Sequence, residues 1–151
     1  MTEPERKSIT RKPIMSSGEL EAFLAVEFPQ AFSPENGLGI EEVRHGGSRL
    51  RQAYQPALLR PGGTISGPAM MALADFAMYV AVLASIGPVP LAVTTSLNIN
   101  FLRRPAPADL VAECRLLKLG KRLAVGEIVI CACGGDDVVA HATSTYSIPS
   151  E

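Results

Sequence analysis

The sequence predicts an α+β fold in which an antiparallel sheet wraps one long central helix, and three observations lead there. First, the run from Pro68 to Ile86 is apolar apart from Asp75 and is long enough for about five helical turns. Second, plotted at 100° per residue, that run is apolar on every side, so other elements have to surround it. Third, the rest of the chain consists mainly of short alternating segments between glycine-rich turns, with no βαβ repeat and no GxGxxG fingerprint.

The elements follow in order. Leu20, Phe23, Leu24 and Phe28 have helical spacing, Ser16 and Glu19 form a capping-box pair ahead of them, and Pro29 ends the segment. Gly37 to Arg44 reads as a strand, Gly46-Gly47 as a turn, and Ser48 to about Leu59 as the second strand of a hairpin. The Gly/Pro-rich segment Arg60-Pro-Gly-Gly-Thr-Ile-Ser-Gly-Pro68 leads into the long helix, with Ser66 or Gly67 as N-cap and Pro68 in the first turn. Gly87-Pro88-Val89-Pro90 stops that helix near Ile86. Ala92 to Arg103 alternates, with Thr94, Ser96, Asn98 and Asn100 on one parity and Leu97, Ile99 and Phe101 on the other. Asp109 to Leu119, Leu123 to Cys133 and Val138 to Ile148 complete a meander. One helix wrapped by such a sheet is the hotdog fold. Residues 1–15, with both charge signs and no apolar segment, read as a flexible tail, and 16–151 as a single domain.

Composition narrows the function. A formal net charge of −1 gives no field for nucleic acid or an anionic membrane, so neither is expected as a partner. The apolar helix approaches a membrane-spanning length, but its central Asp, six alanines and lack of Lys/Arg flanks mark a core helix. The cysteines, Cys114, Cys131 and Cys133, are odd in number and form no CxxC, so they read as small buried hydrophobes in a reducing, cytoplasmic compartment. His45 and His141 have no Cys, Asp or Glu at ligand spacing, so no metal is expected.

Asp75 is the only charged residue between Pro61 and Phe101. A carboxylate in such a run has to be partnered, neutralised or put to use. Ser66 fits a helix cap better than a nucleophile, because no histidine lies near it in sequence. Tyr79, one turn after Asp75, suits interface packing or the wall of a pocket.

The segment Gly63-Thr-Ile-Ser-Gly-Pro-Ala-Met-Met-Ala-Leu-Ala-Asp75-Phe-Ala resembles the signature of PaaI-like hotdog acyl-CoA thioesterases. Ala92-Val-Thr-Thr-Ser-Leu-Asn-Ile-Asn-Phe-Leu-Arg-Arg-Pro105, Gly120-Lys-Arg-Leu-Ala-Val125 and Val139-Ala-His-Ala-Thr-Ser-Thr-Tyr146 are similar to later parts of the same family, so the likeness runs from about Arg49 to Ile148. The resemblance implies thioester hydrolysis, with Asp75 as general base or nucleophile, the Gly67 N–H as oxyanion donor and Thr94 positioning water. It also implies that the helix N-terminus of one subunit faces the carboxylate of the other, in a homodimer or a dimer of dimers. No cofactor is implied beyond the coenzyme A carried by the substrate.

This chain departs from the family where a His-Gly-Gly becomes Ser66-Gly67-Pro68 and an Asn becomes Arg60. Arg103, Arg104, Lys121 and Arg122 are either solvated turn charges or contacts for the phosphates of coenzyme A; the Arg60 guanidinium can stabilise an oxyanion or bind a carboxylate or phosphate, and Ser66 and Tyr79 are further substrate contacts. Two other readings stay open. A hotdog protein that binds acyl-CoA without turnover would suit the lost His and Asn, and a hydratase would want a histidine near Asp75.

Overall fold

The computed structural model describes residues 11–150. Two α-helices, α1 (Ser17–Glu27) and α2 (Gly67–Ile86), combine with six strands: β1 (Leu38–Arg44), β2 (Gly47–Gln52), β3 (Val93–Phe101), β4 (Leu110–Leu119), β5 (Leu123–Ala132) and β6 (Val138–Ser147). The strands form one sheet in the order β1-β2-β4-β5-β6-β3, every pair antiparallel. This is the expected wrapped-helix architecture.

The caps lie where the sequence places them. The Ser16 hydroxyl accepts from the Glu19 N–H at 3.2 Å, and Glu19 Oε1 accepts in return from the Ser16 N–H at 3.4 Å. Leu20 and Leu24 are thereby buried completely on one side of α1. Ser66 caps α2 by accepting from the Ala69 N–H at 3.3 Å. Of the expected tail, residues 1–10 lie outside those described. Within its remainder, Met15 is buried and the Ile14 N–H donates to Ala84 O at 2.7 Å.

The second half of α2 is enclosed, with Met78 through Ser85 all buried. Its first half is not, and here the expectation of an all-round coat is corrected: Pro68, Met71 and Ala72 are exposed, and Asp75 and Phe76 only half-buried. These positions follow i, i+3, i+4 spacing and make one continuous apolar stripe that ends in the carboxylate. About two-thirds of the helix's most apolar window (67%) is buried, which is the pattern of a core helix.

Small residues let the sheet approach this helix closely. Ala112, Ala124, Ala140 and Ala142 of the sheet and Ala74, Ala77 and Ala81 of the helix share one core with no exposure, or almost none. At Gly126 a Cβ would stand 2.5 Å from Met78 Sδ and 3.2 Å from its Cε. Because Met78 is fully buried, Gly126→Val is expected to cost about 1–3 kcal/mol through overpacking. Denaturant titration checks this, and Met78→Ala in the same chain is expected to recover part of the loss.

Two boundaries differ from the sequence reading. The second hairpin strand ends at Gln52 rather than near Leu59, because Pro56 starts a 3₁₀ turn, Pro56–Leu58. On the outer sheet face, Cys131 and Cys133 are only half-buried rather than core residues. Cys133 Sγ accepts from Arg51 Nη1 at 2.8 Å, while Cys114 is buried as expected.

The same face carries a charge chain across β4, β5 and β6. Arg115 Nη2 lies 3.1 Å from Glu127 Oε2, and His141 Nε2 lies 2.8 Å from Glu127 Oε1. The hydrogen bond to His141, followed by that to Arg115, holds the Glu127 carboxyl below the usual carboxylate range. A carboxyl lowered by folding stabilises the protein above its unfolded pKa, and that stability is lost as pH falls through the folded value. A Tm difference between wild type and Glu127→Gln is therefore expected at neutral pH, shrinking below about pH 4.5 and vanishing in stronger acid.

Candidate active site

Asp75 sits on α2 between β3 and β6. Its Oδ1 accepts from the Thr94 hydroxyl at 2.5 Å and from the Tyr146 hydroxyl at 2.9 Å; the latter also lies 3.2 Å from the Asp75 carbonyl oxygen. Among the described residues, Oδ2 accepts no hydrogen bond. The carboxylate is thus fixed by one oxygen and presents the other, a geometry suited to taking a proton or attacking a carbonyl carbon. Burial first, and then the charge of Asp75, push the Tyr146 phenol well above its ordinary range, so it remains a proton donor at any physiological pH.

A bulge sets the Thr94 contact. The β3–β6 register slips between Thr94 and Ser96, which turns Thr94 to the helix side with Leu97 and Ile99. Strict alternation had placed Thr94 with Asn98 and Asn100, which are exposed on the opposite face. Tyr146, absent from the expected site residues, approaches from β6. Its register partner across the sheet is Thr94, so the strand pairing carries the signal that would have found it.

The carboxylate opens into a cavity of about 250 Å³ lined by Glu27, Phe28, Asp75, Phe76, Tyr79, Pro90, Ala92, Val93, Thr94 and Tyr146. Phe28, Phe32, Phe76, Tyr79 and Tyr146 form one connected cluster with ring centroids 5.4 to 6.4 Å apart. Tyr79 is held by a hydrogen bond to Pro90 O at 2.9 Å. The cavity is therefore walled largely by rings, with the carboxylates of Asp75 and Glu27 at its edge.

Gly67 belongs to a second cavity, of about 270 Å³, lined by Arg60, Thr64, Ile65, Gly67, Met70, Phe101, Arg103, Arg104 and Pro105. The Ala69 N–H goes to the Ser66 hydroxyl, the Met70 N–H to Ser66 O at 3.3 Å, and Pro68 has none, so among the described residues the Gly67 N–H is the free donor of the first turn. A Cβ here would meet Phe101 Cζ at 3.2 Å, which accounts for glycine. Arg60 and Arg104 make no ion pair among the described residues, whereas Arg103 Nη1 donates to Val138 O at 2.6 Å.

Asp75 and Gly67 are separated by eight residues of one helix, about 12 Å along its axis. The structure therefore gathers Asp75, Thr94 and Tyr79 at one cavity and Gly67, Arg60, Arg103 and Arg104 at another. Ser66 is the helix cap. Lys121 and Arg122, in the β4–β5 turn, line neither cavity.

The contacts of Asp75 give a measurable expectation. Thr94→Ala and Tyr146→Phe each remove a hydrogen bond to Asp75 Oδ1, and a bond to a carboxylate is worth about 1.5–3 kcal/mol. Each is expected to lower kcat roughly tenfold to a hundredfold, with KM nearly unchanged, in steady-state hydrolysis assays.

Comparison with known proteins agrees with this architecture. Residues 62–139, from the loop before α2 to β6, match the family model described as Thioesterase superfamily. A Saccharolobus solfataricus protein named "Putative esterase" is 30% identical over 92% of this chain and 89% of its own length. Among solved structures, one titled "putative thioesterase" from Silicibacter sp. TM1040 is 41% identical, with a TM-score of 0.83 over 94% of this chain and 97% of that one. A variant of the phenylacetic acid degradation protein PaaI from Thermus thermophilus is 26% identical, with a TM-score of 0.68 over 78% of this chain and 98% of that one. The chain belongs to the thioesterase superfamily, as a thioester hydrolase of the PaaI-like hotdog type.

Proposed function

We propose that the protein hydrolyses acyl-coenzyme A, with Asp75 activating water or attacking the thioester and the Gly67 N–H of a second copy receiving the oxyanion. The observation that carries this is the half-buried Asp75, anchored through Oδ1 by Thr94 and Tyr146 and free at Oδ2 on the edge of an apolar cavity. In the general-base form, Oδ2 takes a proton from water as the water oxygen bonds to the carbonyl carbon. The oxyanion is held at a helix N-terminus, where free N–H groups and the dipole favour negative charge. Collapse expels the coenzyme A thiolate, which takes up the proton and leaves a carboxylic acid.

A second copy is part of the reading because one chain cannot bring both groups to one carbonyl. The exposed stripe on α2 supports it, as does β3, a nine-residue edge strand with Val93 and Phe101 at its ends and Leu91 and Leu102 just outside it, each 48–76% exposed. A long unpaired edge bordered by exposed apolar residues calls for a partner. Pairing of two copies along β3, as a dimer or within a dimer of dimers, would bring the two cavities together. Arg60 and Arg104, beside Gly67, would then meet the phosphates of coenzyme A. Cytoplasmic placement fits the three free thiols.

Release of free thiol from an acyl-CoA series, followed with a thiol reagent, tests the reading. Turnover is the expected result. Thermal stabilisation by acyl-CoA without thiol release would instead favour a binding protein.

A further inference from the structure

The acyl cavity has a second carboxylate that nothing in the fold requires. Glu27 is the last residue of α1 and lines the same cavity as Asp75. A carboxylate at a helix C-terminus faces the negative end of the helix dipole, the wrong end for stability. No basic residue accompanies it in that last turn, and it makes no ion pair among the described residues. It is exposed at the rim of the cavity. Its influence extends inward: burial first, and then Glu27, raise the Tyr79 phenol above its ordinary range.

Among the described residues the remaining wall adds no positive charge: Phe28, Phe76, Tyr79, Pro90, Ala92, Val93 and Tyr146 are apolar or aromatic, and Thr94 brings a neutral hydroxyl. A tail that entered here bearing its own carboxylate would leave water and face two like charges, while the second copy's Arg60 and Arg104, at the Gly67 end, are engaged by the phosphates of coenzyme A. A neutral tail would lose nothing. We propose that Glu27 is a specificity residue, a charge filter that admits neutral acyl groups to the Asp75 cavity and turns away acyl groups ending in a carboxylate. In one chain the cavity is about 250 Å³, or about eight water volumes, which gives room for a short acyl tail.

This inference rests on the acyl-CoA reading, and its test separates the two. Hexanoyl-CoA and adipoyl-CoA have the same carbon count and differ by one terminal carboxylate. Wild type is expected to favour hexanoyl-CoA in kcat/KM by roughly tenfold or more. Glu27→Gln is expected to raise the adipoyl-to-hexanoyl ratio several-fold, and Glu27→Lys to raise it further. A general structural loss would move both substrates together and leave the ratio unchanged, so an unchanged ratio overturns the filter. Equal use of both substrates by wild type overturns it too. Calorimetric binding of the non-hydrolysable dethia analogues repeats the comparison without turnover. Selective binding with no thiol release supports the filter and sinks the hydrolase, whereas equal binding with turnover sinks the filter alone.

Discussion

Asp75→Asn is expected to abolish thioester hydrolysis while leaving the protein folded, with kcat lowered by about 10²–10⁴-fold and KM close to wild type. The amide oxygen of Asn can take the place of Oδ1 and still accept from Thr94 and Tyr146, so the anchoring contacts survive. What changes is the other atom, where a carboxylate oxygen becomes an NH₂ that can neither take a proton nor attack a carbonyl. Loss of rate without loss of Tm, measured by thiol release and thermal unfolding on the same preparations, is the expected pair of results. A rate within threefold of wild type would remove Asp75 from the chemistry and leave it a structural hinge between α2, β3 and β6.

The sequence showed Asp75 clearly because a lone charge in an apolar run is a local signal. Ser16, Glu19 and Ser66 were legible for the same reason, since each bonds a backbone N–H three residues away, and Pro68 because its missing N–H costs nothing in a first helical turn. The bulge in β3 was not, because register depends on the pairing of β3 with β6, some 50 residues later in the chain. That slip decides which face Thr94 joins, and so whether its hydroxyl meets Asp75 beside Tyr146. The exposed half of α2 was hidden for a related reason: helical periodicity shows that a surface is apolar but not which neighbour covers it. The Phe28–Phe76 contact, and Glu27 with it, depend on how α1 docks on α2, which no spacing within either helix encodes.

The separation of Asp75 from Gly67 leads to the second large effect, restoration of activity by mixing two inactive variants. Asp75→Asn removes the carboxylate; Gly67→Pro removes the N–H at a first-turn position that tolerates proline, and Gly67→Val keeps the N–H but fills its approach beside Phe101. Alone, each is expected to be nearly inactive. If the site spans two copies, a mixed dimer has one site with both defects and one with neither. Random equal mixing makes half of the dimers mixed, so about a quarter of wild-type activity is expected to return after co-refolding or co-expression. Two sites each contained in a single chain could recover nothing, since every chain in the mixture carries a defect. Recovery that rises and falls with the product of the two variants' fractions would place the Asp75 cavity of one copy against the Gly67 N–H of the other. It would also explain why a helix so apolar leaves one face of its first two turns uncovered: the face that looks unfinished in one chain is the wall of a site that only two chains complete.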